Sequence, residues 1–127
     1  MDKMKPMDRR FDLEDRFIDL AVVLCAIAEK LPASRVGNHV SGQLIRCGTA
    51  PASNYGEAQG AESRRDFIHK LKICLKELRE TLVWLKFIDR MNLDNTEDFQ
   101  NSIKEVNELI SILVKSIATA QKNITRK

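Results

Sequence analysis

QLIRCGTAPASNYGEA, residues 43–58, breaks the rules of helix composition in a chain that is otherwise rich in helix-forming residues. Six residues depart from these rules. They are two glycines (Gly48 and Gly56), one proline (Pro51) and three polar residues along the apolar side (Arg46, Asn54 and Glu57). In a helix interior, glycine costs about 1 kcal/mol relative to alanine, and proline costs about 3 kcal/mol. A segment that keeps such residues usually has a tertiary reason. We interpret the segment as a place of close helix packing that also holds a polar cluster.

Composition around this segment favours long helices joined by short loops. The 127 residues are enough for one domain. Hydrophobic residues make up 43% of the chain and charged residues 31%, with only 5 glycines and 3 prolines. No Asn-Gly or Asp-Gly pair suggests a β-hairpin. The composition therefore indicates an all-α protein.

Apolar residues recur at steps of three and four in four segments, which predicts four amphipathic helices. The segments cover about residues 12–31, 35–59, 62–90 and 97–122. Pro32 should end the first helix, and Gly60 should end the second. Ser34 and Thr96 are suited to cap the helices that follow them. Short links between four helices predict an up-and-down antiparallel four-helix bundle.

The domain organisation follows from this pattern. Residues 11–122 form the single bundle domain, preceded by a flexible segment at 1–10 and followed by a basic tail at 123–127. Pro51 predicts a kink in the second helix, because proline removes a backbone donor and its ring crowds the preceding turn. The N-terminal residues have no apolar core and do not form a signal peptide. The longest apolar run, residues 20–28, is too short to span a membrane, so we expect a soluble, cytoplasmic protein.

Three cysteines, Cys25, Cys47 and Cys74, stand far apart and form no C-x-x-C pair. We predict that they are free thiols packed as small apolar residues in a reducing compartment. Neither His39 nor His69 has the spacing to a cysteine or an acid that a metal site needs. No nucleophile, metal triad or phosphate loop is visible. We therefore predict no enzymatic activity, no metal and no cofactor.

Charge is distributed unevenly along the chain. The first helix segment (11–31) has five acids and two bases, whereas the third (62–90) has eight bases and five acids. The eight bases are the candidate nucleic-acid-binding residues: Arg64, Arg65, Lys70, Lys72, Lys76, Arg79, Lys86 and Arg90. Against this hypothesis, the net charge is only +3, and nearby Phe67 and Trp84 are predicted to lie in the core. Ordinary solvated faces are the alternative.

The polar residues of the opening segment lie close together on a helical wheel. Arg46 and Glu57 fall within an arc of about 60°, with Asn54 beside them. They are about three turns apart, so each needs a partner from another helix, and Arg79 and Glu80 are candidates. Three interpretations stay open: a solvated helix edge, a structural network that sets helix register, and a ligand or catalytic site.

Residues 43–85 resemble the bacterial four helix bundle protein family, which includes proteins encoded within intervening sequences of 23S ribosomal RNA genes. The matching positions are Gln43, Arg46, Asn54, Glu57, Asp66, Phe67, Lys70, Lys72, Glu77, Glu80 and Trp84. With this resemblance, the predicted structural network comprises Gln43, Arg46, Asn54, Glu57 and Glu80.

The resemblance implies a left-handed four-helix bundle that assembles into a homopentamer, whose five chains of +3 would carry +15. The related accessory variability determinant of diversity-generating retroelements forms a basic pentameric barrel that binds reverse transcriptase and nucleic acid. The first hypothesis is therefore a non-enzymatic homo-oligomer that binds nucleic acid, in particular structured RNA or a reverse transcriptase complex, through the third helix. The alternative is a protein-interaction scaffold without nucleic-acid contact. Apolar residues left outside the core would favour the scaffold: Val22, Val23, Ile45, Ile68, Ile73 and Val83.

Overall fold

Residues 12–125, which a computed structural model describes, fold into four α-helices. The helices are α1 (Leu13–Lys30), α2 (Arg35–Gln59), α3 (Arg64–Arg90) and α4 (Glu97–Thr125). Their order and bounds agree with the sequence pattern, except that α4 continues beyond the predicted end at residue 122. The predicted flexible segment at 1–10 lies outside the described residues, as do the last two residues of the predicted tail.

Side-chain caps define where the helices begin. The Ser34 hydroxyl accepts the N–H of the residue three positions on at 3.0 Å, and the Thr96 hydroxyl does the same at 3.2 Å. Both caps were predicted, and both are confirmed. Asp12 and Ser63 cap α1 and α3 in the same way, at 3.2 and 3.0 Å. Each cap satisfies one backbone donor that has no partner within its helix.

Helix ends follow from proline, glycine and asparagine. Leu31 is extended (φ −65°, ψ 149°), because Pro32 disfavours helical geometry in the residue before it. Gly60 ends α2 as predicted. Asn92 has φ 55° in the turn between α3 and α4, a conformation that asparagine tolerates better than most residues.

The helices pack as a closed square. Each consecutive pair is in contact, and α4 also contacts α1, so α1 and α3 lie diagonally opposite each other. Because the connections are only a few residues long, consecutive helices run antiparallel. The predicted all-α, up-and-down antiparallel bundle is confirmed. Its left-handed sense stays a prediction. None of the helices within residues 12–125 has the combination of length and apolarity that crossing a membrane requires.

The core fills the centre of this square with leucine and phenylalanine. Several of its side chains are less than 2% exposed, including Phe17, Leu24, Leu44, Leu71, Leu78, Leu85, Phe99, Leu109 and Leu113. Burying one such side chain stabilises the fold by about 1.5–3 kcal/mol. All four helices contribute to this one cluster.

The segment at 43–58 is the part of α2 that packs against both neighbouring helices. A Cβ atom at Gly48 would lie 2.8 Å from the Cδ1 atom of Leu24, so the glycine makes room for a side chain of α1. The Cys74 thiol donates to the Pro51 carbonyl across the α2–α3 contact at 3.5 Å. Helix α2 runs without interruption through Pro51. A bend of its axis at this residue stays a prediction.

Candidate nucleic-acid interface

Six of the eight predicted bases form one continuous surface on α3. At 100° per residue they fall within an arc of about 80°. All six are exposed. We call this surface the basic stripe, and its members are Arg65, Lys72, Lys76, Arg79, Lys86 and Arg90.

Nothing in the basic stripe neutralises its charge. The acids of α3 are Asp66, Glu77, Glu80 and Asp89, and all four lie outside the arc of the stripe. Within the described part of the chain, none of the six bases makes an ion pair. The stripe extends along the helix for about 38 Å. It therefore presents an uncompensated line of positive charge that suits a polyanion.

Lys70 and Arg64 do not belong to the stripe. The Lys70 ammonium lies 2.9 Å from the Glu57 carboxylate on the side of α3 that faces α2, and this hydrogen bond raises the pKa of Lys70. Arg64 lines a shallow depression of about 330 Å³ between α3 and α4, together with Lys115. The structure thus brings together six of the predicted bases and sets two apart.

Arg46 is the centre of a polar network that joins α2 to α3. Its guanidinium donates to the Gln43 side chain at 2.8 Å and to the Glu80 carboxylate, and it lies 3.5 Å from the Glu77 carboxylate. The hydrogen bond to Glu80 raises the pKa of Arg46. The Trp84 indole N–H donates to the same Glu80 carboxylate at 3.2 Å. Three side chains therefore contact Arg46, and one of them, Glu80, also holds Trp84.

The remaining members of the predicted network do not join it. Glu57 pairs with Lys70 rather than with Arg79. The Asn54 side chain makes no hydrogen bond to any residue from 12 to 125. The Arg46 and Glu57 side chains are 51% and 57% exposed. Ion pairs at such exposed positions contribute little to stability.

A second ion-pair cluster, between α1 and α4, was not predicted. The Arg16 guanidinium makes two hydrogen bonds to the Glu105 carboxylate, at 3.0 and 2.8 Å, and one to Glu108 at 2.9 Å. These contacts raise the pKa of Arg16. The only signal in the sequence is an excess of acids on the first turns of the fourth helix, which does not identify a partner.

The apolar residues that were expected outside the core fall into three groups. Val22 and Val83 are 64% and 61% exposed, and Val23 is 37% exposed, as expected. The expectation was wrong for Ile68, which packs into the core cluster at 7% exposure. Ile45 and Ile73 are half-buried, because they lie at the edges of their helices' core-facing sides. Exposed residues that the sequence did not indicate are Ile18, Val36, Phe87, Met91 and Val114.

The buried thiols do not provide a nucleophile. Cys47 and Cys74 are completely buried, and Cys25 is half-buried. Burial raises the pKa of Cys74 to about 12 and raises that of Cys47, because a thiolate loses its hydration in the apolar interior. Within residues 12–125, no group of three or more His, Cys, Asp or Glu side chains is arranged to hold a metal ion.

We predict that a thiol reagent modifies at most one cysteine of the folded protein, Cys25, between pH 8 and pH 10. The other two thiols are completely buried, which shields them from the reagent and raises the pKa of both, and all three react after denaturation. Absorbance after addition of an aromatic disulfide reagent measures this count. A Cys25→Ser variant should lose the reaction of the folded protein, and rapid reaction of two or three thiols in that state would contradict the prediction.

Comparison with known proteins agrees with the resemblance seen in the sequence. A family model described as 23S rRNA-intervening sequence protein matches residues 10–115. A solved structure from Bacteroides thetaiotaomicron, described as a protein with unknown function from the S23 ribosomal protein family, is similar with a TM-score of 0.76 and 31% identity. The match covers 83% of this chain and 97% of that one. No curated protein matches.

Proposed function

This chain belongs to the 23S rRNA-intervening sequence protein family, and from that premise we propose that it is a non-enzymatic, homo-oligomeric protein that binds structured RNA through the basic stripe. The observation that carries the proposal is the stripe itself, six exposed bases on one helix face without an acid among them. The family description names a ribosomal RNA, which makes RNA the first polyanion to test.

Electrostatics explains how such a stripe would work with a modest net charge of +3. Each Lys or Arg that contacts a phosphate releases counterions, and this release favours binding independently of sequence. Lys70 is paired with Glu57 and lies outside the stripe. The six bases of the stripe are therefore the ones able to contribute fully to phosphate binding.

The outer face of α1 supports self-association. Ile18 and Val22 are 43% and 64% exposed and lie one turn apart on this face, whereas Val23, at 37% exposure, lies at the edge towards α4. Contiguous exposed apolar residues mark interaction surfaces. Since α1 and α3 are diagonally opposite, a second copy seated on α1 leaves the basic stripe of the same chain open. The pentamer implied by the family resemblance is the assembly we propose.

The same α1 face supports the alternative function, a scaffold for a protein partner such as a reverse transcriptase. In that case Ile18 and Val22 contact the partner, and RNA binding is absent. The two functions differ in one measurable property. The RNA-binding protein loses affinity steeply with salt, whereas the scaffold has no affinity for RNA at any salt concentration.

The proposal is tested by a gel-shift titration with a 23S ribosomal RNA intervening-sequence transcript and an unrelated structured RNA. If all six bases contact phosphates, affinity should fall about 1,000-fold between about 50 and 200 mM salt. Light scattering on the same protein gives its mass in solution. Absent or salt-independent binding would reject the RNA-binding part, and a monomer would reject the homo-oligomer.

A further inference from the structure

Three aromatic rings form a surface cluster beside the C-terminal half of the basic stripe. His39 of α2 meets the Trp84 ring edge-to-face, with 5.7 Å between centroids and 74° between planes. Trp84 meets Phe87 in the same way, at 5.8 Å and 73°. His39 is exposed, Trp84 is half-buried and Phe87 is 37% exposed. We call His39, Trp84 and Phe87 the aromatic trio.

The aromatic trio differs from the core aromatic residues in its exposure and in its support. Phe17 and Phe99 lie in the core at 1% and 0% exposure. In the trio, the Trp84 indole is held by its hydrogen bond to Glu80, which in turn binds Arg46. The polar network between α2 and α3 therefore fixes the orientation of a partly exposed aromatic ring.

Apolar side chains and two cations lie beside Phe87, the member of the trio nearest to the basic stripe. Val83, Phe87 and Met91 follow at four-residue steps along α3 and are 61%, 37% and 47% exposed. Lys86 and Arg90 flank this row on the same side of the helix. Proteins that bind single-stranded nucleic acid combine exposed aromatic rings, on which the bases stack, with Lys and Arg side chains that contact the phosphates.

On the premise that the basic stripe binds RNA, we propose that the aromatic trio stacks unpaired nucleobases, so that the preferred ligand is RNA with a single-stranded segment. Phosphates of that segment lie along Lys86 and Arg90, and one or two bases lie against Phe87 and the exposed parts of its neighbours. Paired bases cannot make this contact, because they are stacked inside the A-form helix, whose deep major groove excludes side chains.

The sole tryptophan of the chain reports directly on this contact. We expect a single-stranded RNA of about 12 nucleotides to quench Trp84 fluorescence and to bind about tenfold more tightly than an abasic strand of equal length. A blunt RNA duplex with the same number of phosphates should bind with little quenching. The abasic strand and the duplex isolate the contribution of the phosphates.

Phe87→Leu should weaken single-strand binding by about tenfold and leave the abasic strand and the salt dependence unchanged. Phe87→Tyr, which keeps the ring, is the matched control and should bind as the unsubstituted protein does. His39→Ala provides a second variant at an exposed position, where folding is not at risk. Thermal unfolding verifies that each variant is folded.

The outcomes separate this inference from the proposed function. Equal affinity for the single strand and the abasic strand, without quenching, rejects base stacking and leaves phosphate binding through the stripe intact. Binding of none of the three probes rejects both. A change in Trp84 fluorescence with protein concentration alone shows that a second copy covers the trio, which also rejects base stacking.

Discussion

Replacing Lys72, Arg79 and Lys86 with glutamine is expected to weaken RNA binding by about 100-fold or more at low salt. These residues are seven positions apart and lie on one line along α3, so a nucleic-acid strand that follows the helix meets all three. Losing three phosphate contacts should also reduce the slope of log affinity against log salt by about 2 for a single strand. The gel-shift titration at several salt concentrations measures both effects.

The matched control replaces Lys30, Lys104 and Lys115 with glutamine. These lysines are also exposed and lie on α1 and α4, outside the basic stripe. Both triple variants change the net charge from +3 to 0, since each removes three positive charges. Exposed substitutions of this kind change stability by about 0.5 kcal/mol or less. Equal loss of affinity in the two variants would show that RNA responds to net charge and not to the stripe.

The helices and their caps could be predicted because the signals are local. Apolar spacing identifies the buried face of each helix, and residues such as Ser34 and Thr96 act on backbone atoms only three positions away. The short links then leave few arrangements for four helices. Handedness and axis bends depend on the packing of all the helices together, and the sequence does not contain them as a local pattern.

The candidate interface could be predicted only in part, because spacing along one helix does not show what the neighbouring helix offers. The seven-residue recurrence of Arg65, Lys72, Arg79 and Lys86 is visible in the sequence. The neutralisation of Lys70 by a carboxylate of α2 depends on how the two helices are rotated against each other. The partial exposure of Trp84, which the sequence analysis placed in the core, has the same origin.

The opening segment shows this difference most clearly. Its small residues were taken as a sign of close packing, which holds at Gly48 but not at Gly56, where a Cβ atom would have no neighbour within 4 Å. At Gly48, however, the neighbour is the side chain of Leu24 and not another backbone. Its polar residues were taken as one network, yet Arg46 and Glu57 contact different parts of α3. The segment therefore packs against α1 at Gly48, and its Arg46 binds Glu80, the residue that holds the Trp84 indole.

Leu24→Ala is expected to destabilise the protein by about 3–4 kcal/mol, because it removes a completely buried side chain and leaves a cavity between α1 and α2. Denaturant unfolding at a fixed protein concentration measures the change.

Gly48→Ala should also destabilise the otherwise unchanged protein, by about 1 kcal/mol, since the new methyl group would overlap the Leu24 side chain. Gly56→Ala, in the same helix with open space around its Cα, is the control and should be neutral or stabilising by up to about 1 kcal/mol.

The combination of Leu24→Ala with Gly48→Ala distinguishes shared space from two independent defects. In the shortened background, the methyl group of the new alanine enters space that Leu24 occupied, and it also brings the higher helix propensity of alanine. The double variant should therefore be more stable than the sum of the single changes predicts, by about 1 kcal/mol or more. Strict additivity would mean that Gly48 and Leu24 do not compete for one volume. The close approach of α1 and α2 would then need a different cause.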